Sequence, residues 1–234
     1  MQAFPESKKS KIIKYTLCIF LFCLPIAFYV FFASAKNGFT KLPVVTENIA
    51  DIPAWDSFPN DTISLKEKIT ILGFPGYNVL KEKGNAFNLL QKIYNKNRDF
   101  NDFQLVYILP KGTENDAKIL QTDLAPLSDL YRWNFVFATP QEIQSFYNSL
   151  DLVGNLDSNL STPSVYIIDK DLNLRGRKGF NKKDKDTQYK EGYNTISAAE
   201  LHNEMSDDVK VILAEYRLAL KKNNNRNIIV NEQE

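Results

Sequence analysis

Polar and apolar positions separate into blocks along this chain. From Tyr15 to Ala35 the run YTLCIFLFCLPIAFYVFFASA holds no charged residue, and at ~1.5 Å per helical residue it can cross a hydrocarbon core of ~30 Å. The pattern predicts one transmembrane helix over residues 15–35. Pro25 is tolerated there because neighbouring groups in a membrane helix re-satisfy the carbonyl it frees. Residues 36–60 carry three prolines and mixed apolar residues without helical period, and read as a tether with an irregular or strand-bearing lead-in. Residues 61–222 alternate short apolar runs with amphipathic stretches and read as one domain, followed by a polar, frayed tail at 223–234.

Within that domain, Ile69, Ile71 and Leu72 form an apolar run ended by Gly73 and Pro75-Gly76, a buried strand. Leu80, Phe87, Leu90 and Tyr94 then recur near helical spacing and predict a helix from Tyr77 to Arg98, weak at Gly84. Phe103–Leu109 is a second strand, closed by Pro110-Lys111-Gly112. Thr113 opens a helix to about Leu130, with Ile119, Leu120, Leu124 and Leu127 facing inward and a kink at Pro126. Trp133–Thr139 is a third strand, and Thr139-Pro140-Gln141-Glu142 is a strong helix start. Ser164–Arg177 reads as an antiparallel pair turning at Asp169-Lys170-Asp171. Ser197-Ala198-Ala199-Glu200 opens a terminal helix carrying Leu201, Met205, Val209, Leu213, Tyr216 and Leu220 on one side. Early βαβ units followed by a hairpin and a helix describe an α/β fold with a mixed sheet flanked by helices, of thioredoxin type.

Charge orients the apolar segment. Lys8, Lys9, Lys11 and Lys14 oppose only Glu6 in residues 1–14, so the positive-inside bias puts that basic segment in the cytoplasm and residues 36–234 outside. Ala33-Ser34-Ala35 also fits a cleavage site, but Tyr15–Phe32 is longer and more aromatic than a signal h-region of ~7–15 residues. After the basic segment the chain carries 25 basic and 27 acidic residues, which leaves no basic field for nucleic acid. Cys18 and Cys23, the only cysteines, both lie in the apolar segment, and there is a single histidine. Thiol, zinc and imidazole chemistry in the exported part is therefore short of donors.

The domain resembles the SCO (SCO/SenC-like) family, membrane-anchored thioredoxin-fold proteins that handle copper and thiols during cytochrome c oxidase assembly. The resemblance is carried by the N-terminal anchor, Leu42-Pro43, the strand Ile69–Phe74, the strand Trp133–Phe137, and STPSVYIIDKDLNLRGR at 161–177. It implies a Cys-x-x-x-Cys after the first core strand, where this chain reads Gly73-Phe74-Pro75-Gly76-Tyr77-Asn78-Val79-Leu80. It also implies a copper-binding histidine where Ser161 stands, and a cis proline at Pro163 before the hairpin strand. Copper(I) prefers thiolate, thioether or imidazole, and all three inherited side chains are missing.

The resemblance therefore implies a degenerate, non-catalytic member with no cofactor. Its role would be that of an accessory factor in respiratory oxidase assembly or envelope copper handling, on a bacterial-type inner membrane with the domain in the periplasm. The alternatives are a functional copper chaperone or thiol-disulfide protein, and an interaction module unrelated to copper. Phe74, Pro75, Gly76, Tyr77, Ser161 and Pro163 form the candidate contact surface, facing a protein partner at the vacated site. His202 and Met205, three apart on a helix, are too few for a soft-metal site. Asp169–Asn173 imitates a calcium loop but has Leu174 where glycine is required. Lys182-Lys183-Asp184-Lys185-Asp186 reads as a solvated loop.

Overall fold

The computed structural model describes residues 8–34, 41–178 and 189–231. The chain divides into two compact units, Met1–Phe39 and Thr40–Glu234. In the first unit, α1 runs from Lys8 to Ser34 with Pro25 inside it. Its described side chains, at 13 and 15–30, are all exposed. Among the described residues no helix is long and apolar enough to cross a membrane.

The second unit is built on one mixed sheet. Its strands are β1 (Val44–Thr46), β2 (Asp56–Phe58), β3 (Ile69–Pro75), β4 (Phe103–Pro110), β5 (Trp133–Ala138), β6 (Ser161–Ile168), β7 (Leu174–Arg175) and β10 (Tyr193–Asn194). The order across the sheet is β1-β7-β6-β3-β4-β5-β2, with β10 also pairing β6. Strands β3, β4 and β5 run parallel, and β6 lies antiparallel to β3. Two further strands, β8 (Arg177–Lys178) and β9 (Tyr189–Lys190), pair with each other, flanking the charged loop, which lies outside the described residues.

Side-chain alternation along the central strands fills two cores. Ile71, Leu105, Tyr107, Trp133, Phe135 and Ile167 face one side. Leu72, Phe74, Val106, Val136 and Tyr166 face the other. Helices α2 (Lys83–Leu89), α4 (Glu114–Leu124) and the C-terminal helix cover the first core, and α5 (Pro140–Ser149) covers the second. Each fully buried Leu, Ile or Phe contributes ~1.5–3 kcal/mol. Trp133, with no exposure, stacks beside Phe135 and meets the edge of Tyr107.

Several expectations change. Residues 41–60 belong to the domain: Leu42, Ile49 and Ile52 are buried, and β1 and β2 form the two sheet edges. The helix expected from Tyr77 begins at Lys83, after a 3-10 turn at Gly76–Asn78, and widens into a π-turn at Leu90–Tyr94 before the short α3 (Asn95–Asn97). In α4, Ile119 faces solvent while Ala117, Leu120 and Leu124 are buried; Leu127 is exposed because the regular helix stops at Leu124 and a 3-10 turn containing Pro126 redirects the chain. Thr139 makes the full reciprocal cap with Glu142. Ser197 caps the Glu200 N–H of α6 (Ala198–Glu200), but the Glu200 carboxylate accepts from Asn194 N instead of closing the box. A π-turn at Leu201–Met205 then leads into α7, which runs from Ser206 to Asn231, through most of the expected tail.

The hairpin turn is fastened by an ion pair. Asp169, 1% exposed, accepts from the backbone N–H groups of Asp171 and Asn173 and from Arg175 Nη1 at 2.8 Å. Arg175 also donates to the Leu42 carbonyl and to Glu215 of α7. The Asp169–Asn173 stretch is thus a turn whose carboxylate is saturated by protein donors.

Candidate functional site

The position at which the resemblance implies thiols lies where β3 leaves the sheet. Phe74 turns into the second core, 1% exposed, with the rings of Tyr147 and Tyr166 at 5.1 and 6.3 Å. Gly76 follows at φ +64, a conformation that L side chains rarely adopt; an added Cβ would stand 2.2 Å from the Asn159 carbonyl oxygen. Tyr77 N donates to that same carbonyl at 3.0 Å, and Pro75 pairs with Ser161 across the sheet. The β3 loop and the Asn159–Ser161 segment are therefore in direct contact.

Asp157 orders the opposing segment. Its carboxylate accepts from the N–H groups of Asn159 and Ser161 and from Ser161 Oγ at 3.0 Å. The Ser161 backbone hydrogen bond, with the Ser161 hydroxyl and Asn159, holds its carboxyl below the usual range. Ser161 is 6% exposed and its hydroxyl is committed to Asp157, so the residue at the resemblance's histidine position offers nothing to a metal.

These placements revise the expected contact surface. Phe74, Gly76 and Ser161 are buried and cannot contribute a contact side chain. Tyr77, 43% exposed, and Pro163 reach solvent, with Pro75 half-buried. Pro163 is not a cis proline: among the described residues the cis peptide bond is Phe58–Pro59. β6 starts at Ser161, so Pro163 lies inside the strand, where its carbonyl accepts from Thr195 N and Oγ1.

Between the β3 loop, α2 and β6 lies a cavity of about 20 Å³. Tyr107, Glu82, Asn85, Thr162 and Thr195 supply its polar lining. Burial pushes the Tyr107 phenol well above its ordinary range, and Glu82 adds to the shift. Sequence reasoning missed this group because Tyr107 sits mid-strand in the largely apolar run of β4, where a tyrosine reads as one more core residue.

The donors present do not suit copper(I). Cys18 and Cys23 lie in α1, His202 is exposed, and Met205 is fully buried, so these two share no site. His202 Nδ1 instead lies 3.4 Å from Lys96 Nζ. Among the described residues no group of three or more His, Cys, Asp or Glu side chains could hold a metal ion.

No family model and no curated protein matches the chain. Solved structures do. An SCO1/SenC family lipoprotein from Bacillus anthracis str. Ames is similar over 74% of this chain and 99% of its own, at 16% identity and a TM-score of 0.52. BsSco, described as a member of the Sco family of cytochrome c oxidase assembly proteins, is similar over 72% of this chain and 95% of its own, at 16% identity and a TM-score of 0.48. An electron transfer protein of Aquifex aeolicus VF5 is similar over 73% and 98%, at 19% identity and a TM-score of 0.45. This chain thus carries a thioredoxin-like fold, in the arrangement seen in the SCO1/SenC lipoprotein.

Proposed function

We propose that this protein is a membrane-anchored, SCO-like docking protein that has kept the fold and lost its thiol and copper chemistry, and that it serves oxidase assembly or envelope copper handling through protein contacts. The observation that carries the reading is the closed loop after β3. Where the resemblance implies two thiols, Gly76 packs on the Asn159 carbonyl and Phe74 fills the core. Tyr77 is left as the exposed aromatic at that end of the sheet, the kind of residue that anchors protein interfaces.

The anchor belongs to the same proposal. Residues 15–35 would span the membrane with residues 1–14 in the cytoplasm and the domain in the periplasm. The support is the uncharged run behind four lysines, together with a helix apolar on every face, which water alone does not accommodate.

The loss of chemistry is tested by titrating the purified protein with copper(I) and by assaying reduction of an insulin-type disulfide substrate. No tight stoichiometric copper and no turnover are expected. Either activity would restore the reading as a working chaperone or thiol-disulfide protein.

A further inference from the structure

Two polar groups that line the cavity beside the β3 loop are poorly satisfied among the described residues. Tyr107 is 4% exposed, and its hydroxyl makes no hydrogen bond to a described residue. The polar atoms sealed from solvent without a partner are Arg132 Nε and Trp133 Nε1. The Tyr107 hydroxyl is not one of them, so it opens onto the cavity its ring lines. Glu82, half-buried, lines the same cavity. Its carboxylate forms no ion pair among the described residues and accepts one long hydrogen bond, from Asn85 Nδ2 at 3.4 Å.

Half-buried carboxylates ordinarily find a cation, because desolvated charge left unpaired is costly. This one shares the cavity with the Tyr107 phenol, the polar residues Asn85, Thr162 and Thr195, and apolar groups such as Val79, Ala86 and Val165. The Thr195 hydroxyl is spent on the Pro163 carbonyl and Asn85 Nδ2 on Glu82 itself, which leaves the Glu82 carboxylate as the charged acceptor without a cation among the described residues. The volume admits one group about the size of a water molecule, which suits an ammonium head with its three donors and not a planar guanidinium. A methylene stem would lie against the apolar wall, as lysine stems do elsewhere. Tyr77 and Ile196, which follow Gly76 and Thr195 in the chain, are both exposed.

We propose that this cavity is a primary-ammonium site which receives a lysine side chain of a partner protein, with Glu82 and the Tyr107 hydroxyl as acceptors and Asn85 holding the carboxylate. The assignment rests on reading this end of the sheet as a contact face, and it names the partner's anchoring group.

Trp133 lies 5.3 Å from Tyr107, ring centre to ring centre, and reports on the site once Trp55, the second of two tryptophans, is replaced by Phe. The full chain in detergent is titrated with N-acetyl-lysine methylamide while Trp133 fluorescence is followed. A saturable change is expected, absent with the Nε-acetylated amide. Glu82→Gln should weaken it roughly tenfold, the loss expected for one charge-assisted hydrogen bond, and Tyr107→Phe should weaken it as well. Both variants are checked for an unchanged thermal midpoint. No saturable response, an equal response to the acetylated amide, or a Glu82→Gln titration identical to the parent overturns the site and leaves the cavity to water. Amide binding that persists when no partner is recovered from membranes supports the site and counts against the docking reading.

Discussion

The ring of Tyr107 lies directly over Gly73: a Cβ added at Gly73 would stand 2.6 Å from Tyr107 Cε1 and 3.2 Å from Val165 Cγ1. The missing side chain on β3 thus makes room for an aromatic from β4, and that aromatic brings a hydroxyl to the place where the fold's relatives, by resemblance, keep their reactive loop. Tyr107 cannot withdraw, because Trp133 and Phe135 hold its ring at 5.3 and 6.1 Å.

Gly73→Ala should therefore destabilise the domain by about 1–3 kcal/mol, the usual cost of overpacking a filled core. Chemical denaturation of the variant should show a lower midpoint with an unchanged slope. Tyr107→Leu placed on top should recover part of the loss, since the two positions share one space. A second substitution whose effect merely adds to the first would show that Gly73 is not confined by that ring.

Arg175 is the second position where a single change should be severe. Its guanidinium joins Asp169 in the hairpin, the Leu42 carbonyl before β1, and Glu215 in α7. Arg175→Met strands a carboxylate that is 1% exposed, and breaking a buried pair in this way costs about 3–5 kcal/mol. Glu215→Gln keeps the Asp169 pair and should cost clearly less. Equal losses in urea unfolding for the two variants would contradict this division.

The long strands were legible because apolar runs bounded by Gly and Pro leave few alternatives: Ile69–Phe74, Phe103–Leu109 and Trp133–Phe137 all lie in the central sheet. The Thr139–Glu142 cap was legible for a local reason, since both of its hydrogen bonds lie within four residues. Strands β1, β2 and β10 were hidden, because two or three residues are too short for a period and their pairing partners are distant in sequence. The two π-turns were hidden as well, since one extra residue in a helical turn leaves the apolar spacing almost unchanged. At the candidate site, the absence of cysteine could be read directly. The burial of Phe74 and the meeting of Tyr107 and Glu82 at one cavity could not, because both depend on how β3, β4 and α2 come together.

Alkaline pH should reveal the buried phenols. Burial, the largest cause, pushes Tyr94 up to about 12, opposed by its hydrogen bond from the Arg132 backbone; burial and hydrogen bonding to Asp208 push Tyr193 higher still. The folded-state values lie above the unfolded value of ~10, so their stabilising effect is complete below pH ~10 and is lost as pH rises through the folded values. Tyr94→Phe should flatten the fall in stability above pH ~10. Stability that does not fall there in the parent protein would contradict the burial assigned to these rings.

Topology is checked with a reporter fused after Glu234, active only outside the cytoplasm. Four lysines before the apolar run predict activity, and replacing Lys8, Lys9, Lys11 and Lys14 with Glu should reduce it. A reporter active only in the cytoplasm would remove the proposed localisation and with it any role beside a periplasmic partner.

The central claim is that the protein works through contact at the β3 end of the sheet, and affinity capture from membranes with the anchor intact tests it most directly. The parent chain and Tyr77→Ala are compared per folded molecule. Tyr77 is 43% exposed, so the variant should keep its thermal midpoint, while an interface aromatic contributes about 2 kcal/mol or more to binding. The parent should recover oxidase-assembly or copper-handling proteins, and Tyr77→Ala far less of them. Equal recovery by the two chains, or recovery of no such protein by the parent, would contradict it.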